Sequence, residues 1–94
     1  MNKYQIIQTG QFKKDLKLAK KRGYDLNLLG NGVDTLAEGK QLDAKYKDHP
    51  LTGNYKGTRE CHLTPDWLLI YEINDDRLYL YLTRTGTHSD LFQK

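Results

Sequence analysis

A chain of 94 residues can build one small core and is too short to divide into two, so residues 1–94 are read as a single domain. Only 37% of the residues are hydrophobic and 29% are charged, which implies a thin core, one sheet with helices on one face, and no run long enough to cross a bilayer. The net charge of +3 is unevenly spread: within residues 1–22, seven basic side chains (Lys3, Lys13, Lys14, Lys17, Lys20, Lys21, Arg22) face the single acid Asp15.

In chain order, Tyr4 to Thr9 is short and rich in β-formers and reads as a first strand. Thr9 then caps a helix from Gly10 to about Arg22, with Gly23 ending it. Phe12, Leu16 and Ala19 recur at helical spacing and form its apolar stripe, which leaves Lys13, Lys17, Lys20 and Lys21 facing water. Asp25 caps a second helix running to about Glu38, with a stripe of Leu26, Leu29, Val33 and Leu36. Gly30 and Gly32 weaken its middle by roughly a kcal/mol each relative to alanine.

Gly39 to Lys56 lacks periodicity and reads as loop; within it, His49 precedes a proline and is therefore extended. Thr58 to Leu63 is the next strand, with Arg59, Cys61 and Leu63 on one face and Glu60 and His62 on the other. A tight turn at Thr64-Pro65-Asp66 leads into Trp67–Ile73, a nearly all-apolar strand expected at the sheet centre. After a hairpin turn at Asn74-Asp75-Asp76, the last strand spans Arg77 to Thr85. Its Leu78, Leu80 and Leu82 point toward the helices, and its Tyr79, Tyr81 and Thr83 point away. Gly86 breaks that strand, and His88 to Phe92 makes a short terminal helical turn. The order β-α-α-β-β-β predicts an α+β fold: a small antiparallel sheet with a helical hairpin on one face and an open, polar groove on the other.

The N-terminal residues lack the apolar core of a signal peptide. Cys61, the one cysteine, has no partner for an internal disulfide. Both features suggest a reducing cytoplasm. Cys61 reads as a strand residue rather than a nucleophile, because His62 beside it points to the opposite face. The polar groups able to move protons collect between Tyr46 and Tyr71, around turn residues that hold side chains at strand ends. His49, His62 and His88 could exchange protons near neutral pH, and Asp66 could orient one of the rings. Lys47, Lys56, Arg59 and Arg84 could hold phosphate, and Trp67, Tyr55 or Phe92 could stack on a base. The basic stripe of the first helix, Lys13, Lys17, Lys20 and Lys21, could attract a phosphate backbone.

Two blocks, "YKDHPLTGNYKGTRECHLTPDWLLIYEI" and "RTGTHSDLF", carry a resemblance to the YafQ-like branch of the RelE/ParE toxin superfamily, with weaker agreement in "TGQFKKDLKLAKKRG". The agreement covers most of the chain and is poorest between Leu28 and Ala44. These proteins are the toxin halves of bacterial type II toxin–antitoxin pairs. The resemblance implies a RelE-like fold and a ribosome-dependent endoribonuclease that cuts messenger RNA in the decoding site without metal or other cofactor. It places His49, His62, Asp66 and His88 at the active-site positions and Phe92 at an aromatic position that affects activity. Glu60 keeps the acid found in the family, while Cys61 stands where a small residue is usual. The implied partners are a ribbon-helix-helix antitoxin of the DinJ/RelB kind, small-subunit ribosomal RNA and messenger, with no membrane. The rival readings are a ParE-like inhibitor of gyrase without catalysis, and a metallohydrolase. The latter lacks any histidine pair at the i, i+4 spacing of common zinc helices.

Overall fold

The Thr9 side chain starts the helical part of the molecule: its Oγ1 accepts the Phe12 N–H at 3.0 Å and donates to the Thr83 carbonyl at 2.9 Å, so the cap also ties the helix to the sheet. In the computed structural model, which describes residues 2–92, this is the junction between β1 (Gln5–Gln8) and α1 (Gly10–Lys21). A second helix, α2 (Leu26–Ala37), is capped by Asp25, which accepts the Asn27 N–H. β2 (His49–Pro50), β3 (Arg59–Thr64), β4 (Trp67–Asn74), β5 (Tyr79–Gly86) and α3 (His88–Phe92) complete the chain.

The glycines do not interrupt α2. Gly32 is buried, and a Cβ there would stand 3.3 Å from Leu63 of β3, so its lack of a side chain lets the helix approach the sheet. Tertiary contact thus outweighs the local cost of glycine.

The five strands lie in the order β1-β5-β4-β3-β2. β3, β4 and β5 pair antiparallel in succession as expected and β2 adds antiparallel to β3, but β1, expected antiparallel as well, joins the edge parallel to β5, Gln5 opposite Tyr79. The helices sit between β1 and the rest in sequence, a connection long enough to permit parallel pairing. β2, inside the expected loop, is a two-residue strand that sets His49 opposite Glu60.

One core lies between the helices and the sheet. Phe12, Ala19, Leu29, Val33 and Leu36 meet Cys61, Leu69, Tyr71, Leu80 and Leu82 there. Leu78 departs from the expected leucine face. It is 44% exposed and left-handed (φ 57°), because the β4–β5 turn extends to it and β5 begins only at Tyr79. A smaller cluster occupies the opposite face of the sheet, where Leu68 and Ile70 of β4 pack with Leu91 of α3, flanked by Leu51, Tyr55 and Phe92.

A bulge in β5 shapes that second face. Ile70 pairs with Arg84 but Tyr71 pairs with Leu82, leaving Thr83 as the extra residue. Strict alternation would put Arg84 with Leu80 and Leu82 toward the helices; the bulge instead sets it beside Ile70, lining a cavity with Tyr55, Leu91 and Phe92.

Candidate active site

Three elements bring the histidines together on the face away from the helical core. His62 and Glu60 project from β3 opposite Leu68 and Ile70. β2 adds His49, held extended by the proline that follows it. His88 begins α3 directly after β5. The rings form a continuous row, with centroids 6.3 Å apart for His49 and His62 and 5.8 Å for His62 and His88. Phe92 follows at 6.2 Å from His88, and Tyr55 stands edge-on to Phe92 at 5.6 Å.

Glu60 is the hinge of the cluster. It is only 4% exposed, and its Oε1 lies 3.4 Å from His49 Nε2 and 3.2 Å from His62 Nε2. One buried carboxylate therefore serves two imidazoles. The Nδ1 of His49 is 3.1 Å from the Pro50 carbonyl, which favours the tautomer with hydrogen on Nδ1 and leaves Nε2 toward Glu60. His88 Nδ1 lies 3.7 Å from Asp66 Oδ1, with both side chains largely in solvent. This contact is long, and gains strength only when the ring is protonated.

The other predicted residues divide. Lys47, in the left-handed region at φ 49°, lines a cleft with Tyr46, His62 and Pro65, beside the row of rings. Phe92 is in the row itself. Arg84 is near the cluster, but Asp15 of α1 engages its Nε at 2.8 Å and a terminal nitrogen at 3.0 Å. The hydrogen bonds it donates to Asp15 hold the Arg84 guanidinium firmly charged, against a smaller opposing effect of burial. Lys56 is exposed just beyond Tyr55.

Two of the named residues stand apart from the row of histidines. Arg59 faces the helical side opposite Tyr71, where Asp48 accepts from its Nε at 3.1 Å, so the sheet separates it from the histidines. Trp67 is 2% exposed and packs against Tyr24 at 4.9 Å between ring centroids; burial removes it as a platform for a base. Cys61 is fully buried, and desolvation pushes its thiol up to about 12, in keeping with an inert strand residue. Lys13, Lys17, Lys20 and Lys21 are all exposed on α1.

Strand alternation alone sets Glu60 beside His62 and does not show that it serves a second ring. The missing information was the pairing of β2, which brings His49 to the same carboxylate. Tyr55, a possible stacking residue by its sequence, ends the aromatic row. His49, Glu60 and His62 also present one donor atom each within 4.8 Å of one another, a nitrogen–oxygen set suited to a divalent ion such as zinc or copper.

A five-stranded sheet, helices on one face and an acid–base cluster on the other define a small RelE-like toxin domain. Residues 4–93 match the family described as "Bacterial toxin of type II toxin-antitoxin system, YafQ", and the chain belongs to that family. It is 48% identical over 88 residues to the mRNA interferase toxin YafQ of Escherichia coli strain K12, covering 93% of this chain and 94% of that one. The E. coli DinJ–YafQ toxin–antitoxin complex superposes with a TM-score of 0.87 at 46% identity, over 96% of this chain and 98% of the toxin chain. A metal-bound toxin from Helicobacter pylori superposes with a TM-score of 0.89 at 49% identity, over 95% and 99% of the two chains.

Proposed function

We propose that this toxin is a ribosome-dependent endoribonuclease that cuts messenger RNA in the decoding site and so stops translation. The observation that carries this reading is the row of three imidazoles, two of them on one buried carboxylate, ending in the aromatic rings of Phe92 and Tyr55. The name of the E. coli relative, an mRNA interferase, agrees with it.

The chemistry needs a nucleophile, a base and an acid. The ribose 2′-oxygen attacks the adjacent phosphorus, His49 or His62 takes the 2′-hydroxyl proton, and the bond to the 5′-oxygen breaks. His88 gives that leaving oxygen a proton. The products are a 2′,3′-cyclic phosphate and a 5′-hydroxyl. Glu60 stabilises the imidazolium formed on the base, Asp66 steadies His88, and Lys47 and Arg84 offset charge on the phosphorane. Phe92 and Tyr55 stack on a flanking base, and Lys56 extends the positive rim.

The ribose supplies the nucleophile, so the cut needs no metal. A divalent ion held by His49, Glu60 and His62 would supply Lewis-acid polarisation, yet it would also occupy the nitrogens that exchange protons. Lys13, Lys17, Lys20 and Lys21 grip ribosomal RNA. An antitoxin of the DinJ type, the kind of partner present in the E. coli complex, covers the groove and neutralises this toxin. This activity belongs in the cytoplasm; among the described residues, no helix is long and apolar enough to cross a membrane.

The test is expression of the chain alone with a translation-coupled cleavage assay. The parent arrests growth and cuts ribosome-bound messenger, and His88→Ala relieves the arrest while remaining folded. A folded His88→Ala variant as toxic as the parent would remove His88 as the acid. Growth arrest without messenger cleavage would sink the nuclease reading itself.

A further inference from the structure

Arg22 closes the basic run of the first helix, but the structure gives it a different task from the exposed lysines. One terminal nitrogen donates to Asp90 Oδ2 at 2.6 Å and the other to Asp90 Oδ1 at 3.2 Å, a two-pronged contact linking the end of α1 to α3 across 68 residues of sequence. The Arg22 fork, followed by the Thr87 N–H, holds the Asp90 carboxyl down at about 2. The side chains are 35% and 25% exposed, so this is a partly shielded pair rather than a free surface contact.

Asp90 is at the same time the key to the start of α3. Its Oδ2 accepts the Thr87 N–H at 3.0 Å, and its own N–H donates to Thr87 Oγ1 at 3.1 Å, a reciprocal capping arrangement. A Cβ on Gly86 would stand 3.0 Å from both Cβ and Oδ2 of Asp90. Asp90 has little freedom to yield, because Arg22 and Thr87 hold the same carboxylate. Glycine here lets β5 close tightly onto the turn.

α3 has only five residues, far fewer than a helix needs to persist by itself. Its own packing is modest: Leu91 enters the small cluster on Leu68 and Ile70, and Phe92 meets Tyr55. Yet it carries His88, whose ring must stay beside His62. We propose that Arg22 and Asp90 are positioning residues: together they clamp α3 to the end of α1 and fix His88 and Phe92 in line with His62. This inference rests on the nuclease reading for its effect on rate, though the clamp itself is a matter of geometry.

The experiment separates clamping from docking and from bulk stability. Asp90→Asn keeps an oxygen for the Thr87 N–H but removes the charge that holds Arg22; Arg22→Ala leaves the cap untouched; Arg22→Lys keeps charge without the fork. Each folded variant is assayed for binding to programmed ribosomes and for single-turnover cleavage at saturating ribosome. A misplacement of about 1 Å in a reacting group can cost on the order of 10²-fold, so Asp90→Asn and Arg22→Ala are expected to lose about 10- to 100-fold in the bound cleavage rate. Arg22→Lys should recover part of that loss. Asp90→Asn should bind ribosomes as well as the parent, since it uncovers a cation. An unchanged saturated rate in both folded variants overturns the clamp, as does a loss confined to ribosome affinity.

A second readout needs no RNA. In the parent, ring protons of His62 and His88 should show a nuclear Overhauser contact and sharp imidazole signals. Arg22→Ala should weaken that contact and broaden the His88 signals. A contact as strong as in the parent overturns the clamp even if the parent proves not to cut; failure of the parent to cut counts against the nuclease reading alone. If Arg22→Ala does not fold, Asp90→Asn decides on both readouts.

Discussion

Glu60→Gln separates catalysis from stability at the centre of the site. Glutamine is nearly the same size and keeps an acceptor oxygen, so His49 and His62 stay placed and only the charge disappears. At 3.2 and 3.4 Å, one unit charge acting on an imidazolium in a surface-like dielectric of about 20 is worth about 5 kcal/mol before desolvation is counted. Burial of the carboxylate takes back most of that, leaving about 1.5–3 kcal/mol, typical of a hydrogen bond to a charged group. The expected loss in bound cleavage rate is therefore about 10- to 100-fold. Folding should respond in the opposite sense, because Glu60 is 4% exposed and its charge costs desolvation energy. Single-turnover cleavage on saturated ribosomes and a thermal melt, run side by side, test both halves. A rate within threefold of the parent refutes the role given to Glu60. A rate that falls only in proportion to a lower melting temperature means that Glu60 supports the fold rather than the chemistry.

Neutralising Lys13, Lys17 and Lys20 to glutamine should weaken ribosome binding and flatten its salt dependence by about one unit of slope per lost phosphate contact, with little change in the bound rate. Unchanged affinity would make the stripe a solvated helix face. His49→Ala and Asp66→Ala should do the reverse, keeping affinity and losing the cut. A chelator should leave parent cleavage intact, and zinc or copper should inhibit it by occupying His49, Glu60 and His62; abolition by the chelator would show that the reaction needs the ion. The Asp90 carboxyl is held at about 2, below its ordinary value near 3.8, so its contribution is complete above about pH 4 and fades as pH falls toward 2. Urea unfolding at pH 5 and pH 2.5 should show Asp90→Asn less stable than the parent at the higher pH, by about 1 kcal/mol once solvent screening is allowed for, and by a clearly smaller margin at the lower. An equal difference at both values would assign the effect to the cap.

The amino-acid sequence by itself determined what depends on near neighbours. Thr9 and Asp25 start their helices because a side-chain oxygen reaches an N–H two or three residues on. Glu60 and His62 share a face because strands alternate, and His49 is extended because a proline follows. The motif resemblance then singled out the three histidines as one group, which spacing alone could not do. Only the tertiary structure decided the contacts made across the sheet and between distant segments. The two-residue β2 put His49 on the carboxylate of Glu60, and the bulge at Thr83 turned Arg84 to the open face. The all-apolar run of β4 buries both its faces, which sent Trp67 into the helical core rather than toward RNA. Arg22 reads in sequence as one more cation of a basic helix, and only the fold brings it to Asp90, 68 residues away. Local rules fix φ, ψ and the face of a residue, whereas its partners follow from register and packing, which depend on the whole chain at once.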